Sequence, residues 1–353
     1  MPEKQVISQT LDNKRGEILF RKRLIAQQLT NQGNLEHEFD EAALHQLLRE
    51  RMAKTLSDMQ QLSHSGLRLA PFLEIGAERG QRSLVMRNDL GLQGFAADIS
   101  YDMLASCSHF ARVFHKSDLP WRICCDVNTL PFRSGSIPFV FCYETLHHFP
   151  ALSSVIQEIE RVLTPGGTFF FEEEPYRKVF RFRVFRGPAL YSASSRNRSW
   201  LRRVLDGFFS IQPCNERQFG IIENHDIPLR EWRNALSRFS RRQVELRGLK
   251  LRSPLDGRRN PFLYFLVYFF GGGIAGVCTK AGCQEPISSI DLEQALACPD
   301  CRLHGQDQSL LRKPGGFSCA HCRTGFPVSN GVLFLLPSAL RHTLYPEITI
   351  SSC

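Results

Sequence analysis

Between residues 69 and 175, five short apolar runs (LAPFLEIG, GFAADIS, WRICCDV, PFVFCYET and GTFFFEEE) alternate with helix-like stretches such as SSVIQEIERVL. Apolar runs of strand length, separated by segments long enough for a crossover helix, imply βαβ units and a parallel sheet. The fold class expected here is therefore α/β. Around this region the chain divides by pattern. Residues 1–68 carry charged helical segments, among them FDEAALHQLLRERMAKTLSDMQQL, in which Ala43, Leu44, Leu47, Leu48 and Met52 recur at helix spacing. They read as a helical lead-in or cap. Residues 69–280 form the α/β unit, with a less regular insertion at about 176–240, and residues 291–337 form a small cysteine-bearing unit.

The stretch FLEIGAERGQRS, residues 72–83, puts a glycine turn directly after the first apolar run. A dinucleotide fold uses GxGxxG to bring backbone up to a pyrophosphate at a helix N-terminus. GAERG, Gly76 to Gly80, lacks that spacing, and the carboxylate of Glu78 would repel phosphates. The turn suits a cofactor without phosphate, where Glu78 costs only backbone strain, about 1–2 kcal/mol in a left-handed conformation. Taken singly, Asp98 or Asp126 at a strand end reads as a helix cap, and TPGG at Gly166 and Gly167 as a turn from helix to strand.

Together, FLEIGAERG, GFAADIS, CDVNTLPFRSGSIPFVFCYETLHHF and EIERVLTPGGTFFFEEEP resemble, in order, the class I S-adenosylmethionine-dependent methyltransferases of the type 11-like group. The resemblance implies a Rossmann-like, mostly parallel seven-stranded sheet and S-adenosylmethionine as cofactor. It carries the methionine amino group to Glu74, an open loop to Gly76 and Gly80, the ribose hydroxyls to Asp98, and the adenine to Asp126 and Val127. Carboxylates at strand C-termini fit such contacts, since open α/β sheets bind ligands there and a carboxylate accepts two vicinal hydroxyls. The sulfonium is already a good leaving group, so the protein mainly aligns a nucleophile and excludes water. For a hydroxyl acceptor, the nearest candidate bases at the end of the fourth strand are Glu144, His147 and His148. The ETLHH loop lacks the Asn-Pro-Pro-aromatic pattern of many nitrogen-methylating members, which favours O- or C-methylation.

The insertion opens YRKVFRFRVFRGPALYSASSRNRSWLRRVL, with nine Arg or Lys and no acid in residues 177–203. Interleaved Arg and aromatic residues can grip phosphates, sugars or stacked bases; a solvated basic face is the plainer alternative. Phe180, Phe182 and Phe185 need burial while their Arg neighbours can snorkel, which suits a substrate cap or an interface. A formal charge of +9 favours acidic partners: a phosphate-bearing substrate, RNA or an anionic membrane surface. The first residues, MPEKQVISQTLDNKRGEILFRKR, are polar where a leader would be apolar, so a cytoplasmic setting is expected, with peripheral contact at a membrane. PFLYFLVYFFGGGIAGVC, residues 261–278, sits at the lower limit for a span and is interrupted by Gly271, Gly272 and Gly273. It reads as a core helix followed by a strand, GIAGVCTK, paired antiparallel with QVELRGLK at 243–250.

LACPDC and FSCAHC place Cys298, Cys301, Cys319 and Cys322 as C-x2-C, seventeen residues, C-x2-C. That spacing matches four thiolates around structural tetrahedral zinc, with no open position for catalysis. The continuation CRTGFPVSNGVLFLLP resembles the small zinc-binding activator subunit that partners tRNA, rRNA and release-factor methyltransferases. The resemblance implies a zinc ribbon docked in cis on the methyltransferase domain. Activator partners act on RNA or protein, whereas the basic segment and the LPF and LHH motifs suit a small-molecule, lipid or glycan-precursor acceptor, which is the reading preferred. A non-catalytic adaptor with a decayed cofactor site, Glu78 being the damage, is the rival from another class.

Overall fold

Five strands with near-continuous apolar sequence form the centre of the sheet: β1 (Phe72–Ile75), β2 (Gly94–Asp98), β3 (Trp121–Cys124), β4 (Ile137–Tyr143) and β5 (Leu163–Pro175). Apolar residues on both faces of a strand require cover on both sides. The crossover helices α3 (Gln81–Asn88), α4 (Tyr101–Val113) and α5 (Leu152–Val162) help supply it, preceded in the chain by α1 (Pro2–Thr30) and α2 (Glu41–His64). In this computed structural model the described residues are 2–30, 41–177, 185–186, 210–211, 224, 226–248, 250–258, 260–284 and 291–348. Nearly all of the basic insertion, with Phe180 and Phe182 and the side chain of Phe185, lies outside them; within it β6 (Phe185–Arg186) and β7 (Ser210–Ile211) pair as a separate two-stranded sheet.

The central strands run parallel in the order β3-β2-β1-β4-β5. β10 (Gly273–Thr279) then pairs antiparallel with β5, and β8 (Arg241–Gly248) antiparallel with β10, in the register Gly273 opposite Arg247 through Thr279 opposite Arg241. These are the seven strands expected, and QVELRGLK pairs where expected. The sheet nevertheless continues past them on both sides. β9 (Leu251–Pro254) adds to β8. On the opposite edge β14 (Val332–Phe334) pairs parallel with β3, Val332 opposite Arg122 and Phe334 opposite Cys124, followed outward by β13 (Gly325–Ser329), β12 (Gly316–Cys319) and β11 (Leu310–Lys313). Among the described residues the sheet therefore has twelve strands, not seven. The physical reason is an edge problem solved twice over: β3 has edge N–H and C=O groups to pair, and Val332, Leu333 and Phe334 are apolar on both faces and fully or almost fully buried by the join.

A second correction concerns the aromatic run at 261–270. After α6 (Leu229–Leu236), whose Trp232 stacks on Phe171 at 5.5 Å, the chain forms α7 (Pro261–Phe270) with Asn260 capping the Leu263 N–H. This is not a core helix: Val267 is its buried residue, while Phe262 and Phe265 are 72% and 50% exposed. One stripe of α7 rests near β8 and β9, with Tyr268 stacked on Tyr176, and the other faces out, where among the described residues no element covers it. Among the described residues, no helix is long and apolar enough to cross a membrane. Two short helices, α8 (Pro299–Arg302) and α9 (Ser338–Leu344), flank the cysteine-bearing strands.

Candidate functional site

The turn after β1 is shaped by backbone geometry. Gly76 and Gly80 have φ of 66° and 68°, in the left-handed region that favours glycine. A Cβ on Gly76 would run into the Thr145 side chain, and one on Gly80 would meet Cys107 Sγ at 2.9 Å. The openness of the loop is thus also a close approach to the end of β4 and to α4. Glu74, just before the turn, points its carboxylate at the first turn of α3: Oε2 accepts from the Ser83 N–H at 3.0 Å and from Ser83 Oγ at 2.5 Å. It satisfies an otherwise orphaned helix N–H. Burial pushes Glu74 up to about 8, against those hydrogen bonds and Arg82.

Glu78 does adopt the left-handed conformation, φ 48°, and has ionic partners that its position in the sequence did not reveal. Its carboxylate pairs with Arg51 of α2 at 2.9 Å and Arg21 of α1 at 3.3 Å. Burial would raise Glu78, but Arg51, Arg21, Arg79 and Arg82 outweigh it and hold the carboxyl at about 2. The unexpected glutamate is the point where both N-terminal helices are pinned to the glycine turn.

Asp98 and Asp126 lie at the C-terminal ends of β2 and β3, on the same edge of the sheet as the turn. Asp98 accepts the Glu78 N–H and the Ser100 N–H, each at 2.8 Å. Burial raises it to about 6 in spite of those bonds. Asp126 accepts from Asn128 N–H at 3.0 Å, capping the short turn that begins with buried Val127, so the capping alternative describes a real part of its role. Its other oxygen pairs with Lys14 of α1 at 2.5 Å. Glu17, one turn further along α1, is held below the usual carboxylate range: burial raises it, but Arg21 and His148 outweigh that. The first helix therefore reaches Asp126, Glu78 and His148 with one charged stripe. Sequence reasoning took 1–68 as a cap but singled out none of Lys14, Glu17 or Arg21; the one available signal was their i, i+3, i+7 spacing.

At the end of β4, Glu144 has φ 48° and a carboxylate 3.3 Å from Arg51. His147 and His148 follow in a single turn with ring centroids 4.4 Å apart. His147 is buried, and its Nδ1 lies 3.0 Å from Glu174 Oε2. Glu174, fully buried at the end of β5, also accepts the N–H groups of Thr145 (2.7 Å), Leu146 (2.9 Å) and His147 (3.2 Å). A buried carboxylate needs such partners. It fixes the histidine turn, and a carboxylate facing Nδ1 favours the tautomer protonated at that nitrogen. Glu174 was missed in the sequence, although three consecutive acids closing the apolar strand GTFFFEEE were a visible oddity. Glu172, almost fully buried, instead pairs with Arg247 at 2.6 Å and Lys54 at 3.6 Å.

The four cysteine sulfurs lie within 4.8 Å of one another. Cys298 and Cys322 are 3.5 Å apart and Cys301 and Cys319 3.8 Å. Zinc–sulfur bonds of about 2.3 Å in a tetrahedron place sulfurs about 3.8 Å apart, so the donor set fits such an ion. The N–H groups of His321 and Cys322 point at Cys319 Sγ, at 3.3 and 3.4 Å, as donors to a thiolate do.

Residues 73–171 match the family described as "Methyltransferase domain". The chain is similar to an uncharacterized chloroplastic methyltransferase of Arabidopsis thaliana, 35% identical over 105 residues that cover 29% of this chain and 30% of the relative. It is also similar to the 27-O-demethylrifamycin SV methyltransferase of Amycolatopsis mediterranei, 32% identical over 141 residues covering 38% and 48%. Each match spans less than half of the relative's own length. Among solved structures, the PH0226 protein of Pyrococcus horikoshii OT3 aligns at a TM-score of 0.41 and 18% identity, over 66% of this chain and 90% of that one. A methyltransferase domain thus runs from β1 into β5.

Proposed function

We propose that this chain is an S-adenosylmethionine-dependent methyltransferase that methylates a hydroxyl or carbon of a small-molecule, lipid or glycan-precursor acceptor. The observation that carries the reading is the convergence, within residues 73–171, of the left-handed glycine turn with Asp98 and Asp126 at the ends of adjacent strands. The cofactor supplies a methyl group on a cationic sulfur. Asp98 and Asp126 offer carboxylate oxygens to its hydroxyl and amino donors, while Gly76 and Gly80 keep Cβ atoms out of the turn. His147, oriented by Glu174, accepts the proton of a hydroxyl acceptor at Nε2. Similarity to a methyltransferase named for an O-demethylated substrate supports this choice over nitrogen.

The four cysteines hold a structural zinc in this proposal, and the ribbon acts in cis as an activator-like module. The parallel pairing of β14 with β3 supports that role, because it extends the catalytic sheet through the ribbon's own strands. The outward aromatic face of α7, with Arg252 and Arg258 exposed near it, supports peripheral contact with an anionic membrane carrying a lipid acceptor. Calorimetric titration of S-adenosylhomocysteine tests the central reading. Binding that Asp98→Ala weakens by about 1.5–3 kcal/mol, the range for hydrogen bonds to a charged group, is expected. No heat at millimolar ligand would leave the adaptor reading standing.

A further inference from the structure

The first helix is more than a wall. Ligands of open α/β sheets bind outside the strand C-termini, and that is where α1 lies: Lys14 on Asp126, Arg21 on Glu78, and Glu17 within electrostatic reach of Asp98 and His148. We propose that α1 is a displaceable cover whose Lys14 competes with the cofactor for Asp126, so that cofactor binding requires α1 to lift from the site. The proposal rests on the methyltransferase reading above.

Two features argue for a cover that lifts over a fixed element. Its hold is divided: Ile18 and Phe20 are anchored at 3% and 1% exposure, Ile18 among Ala77, Ala96, Cys124 and Leu344, whereas the stripe over the carboxylates is ionic. Lys14 and Asp126 are 17% and 7% exposed, so parting them would strand the carboxylate unless an arriving ligand offers its own donors in exchange. The docked arrangement also carries a penalty. Asn13 Nδ2, next to Lys14, is a buried donor with no hydrogen-bond partner among the described residues, and an unmet donor of that kind opposes burial. Charge points the same way. A cationic ligand gains least from carboxylates that Lys14 and Arg21 already neutralise, and gains more once α1 moves off.

The arithmetic is that of a binding-competent fraction: if α1 is docked nine parts in ten, freeing it tightens apparent affinity about tenfold. In the full chain, Lys14→Met should therefore bind S-adenosylhomocysteine roughly an order of magnitude more tightly than the parent, with Arg21→Met shifting in the same direction. In the unsubstituted chain, adding S-adenosylhomocysteine should speed amide hydrogen exchange across residues 11–26. Unchanged or weaker affinity in both variants, or ligand-slowed exchange in α1, overturns the cover and makes α1 a fixed or closing wall. Absence of binding to parent and variants alike overturns the methyltransferase reading itself, and the cover with it.

Discussion

Phe334 tests whether the ribbon and the catalytic sheet are one cooperative body. It is fully buried in β14, with its ring 4.8 Å from Tyr101 and 5.6 Å from Tyr345, in a cluster that includes Ala77 and Ala96 from the catalytic sheet and its glycine turn, and Ile18 from α1. Phe334→Ala deletes the ring from a site walled by strands on one side and helices on another, which leaves little room for collapse. Such substitutions cost about 3–5 kcal/mol. At about 2.1 cal/mol/K of unfolding entropy per residue, one cooperative body of this chain's 353 residues shifts about 1.3 °C per kcal/mol, so the melting temperature should fall by roughly 4–7 °C. The assay is calorimetry of protein supplied with zinc, with tryptophan fluorescence as a second probe in a Trp121→Phe, Trp200→Phe background, because Trp121 itself packs on Phe317. Trp232 sits in the catalytic core against Phe171, far along the chain from the ribbon. One transition, shifted equally in both signals, is expected. Two transitions, with only the smaller one shifted and the Trp232 signal unmoved, would show that β14 pairs with β3 without sharing stability, and the extended sheet would then be a contact between independent units.

Asp98, raised to about 6 by burial, binds its proton more tightly folded than unfolded. Its contribution therefore makes stability fall as pH rises from about 4 to about 6; Asp98→Asn should remove that step from melting temperature measured against pH, and an unaltered profile would mean the carboxyl is not buried as described. Glu174→Gln keeps the turn's size but weakens its grip on His147, so turnover on a hydroxyl acceptor should drop by about 10²–10⁴ while S-adenosylhomocysteine affinity stays constant; equal loss of both would assign Glu174 to folding alone. Phe262→Ser combined with Phe265→Ser should abolish sedimentation with anionic vesicles without lowering the melting temperature, since both rings are solvent-exposed already. Sedimentation that is absent in the parent removes the membrane contact.

What could be read from the sequence was whatever depends on local order. The strand alternation, the antiparallel pairing of 243–250 with GIAGVCTK and the cysteine spacing all follow from near neighbours or from motifs of fixed length. What escaped needed partners distant in the chain. Glu78 reads from the sequence as strain tolerated in a glycine turn, or in the rival reading as damage to it, because nothing near it reveals that Arg51 and Arg21 converge on its carboxylate. Glu174 looked like one of three acids, and only the fold separates it, fully buried on the histidine turn, from Glu172 on Arg247. α7 misled for the opposite reason: its composition is that of a core helix, and exposure is decided by how many layers lie over it. A strand count of seven could not anticipate β14, since three residues of VLF carry no signal of which edge they will join.

The C-terminal segment ties the ribbon to the ligand-binding edge more tightly than the strand pairing alone. Tyr345 donates to the Ile99 carbonyl at 2.7 Å and accepts the Tyr101 N–H at 3.0 Å, gripping the turn that Asp98 opens. Lys22 of α1 pairs with Glu347 at 2.7 Å and lies over the Tyr345 ring. If the four cysteines hold zinc as proposed, the metal site, the strands around it, the Asp98 turn and α1 form a mechanical series. Cys319 accepts two backbone N–H groups through its sulfur and is buried among the other cysteines, so Cys319→Ser should release the metal and loosen the ribbon. If the series is real, the loss propagates: hydrogen exchange should quicken in residues 11–26 as well as in 298–336, and Asp98 contacts should weaken with them. Quickened exchange confined to 298–336, with α1 protection unchanged, would break the series at Tyr345 and leave the zinc supporting only its own strands.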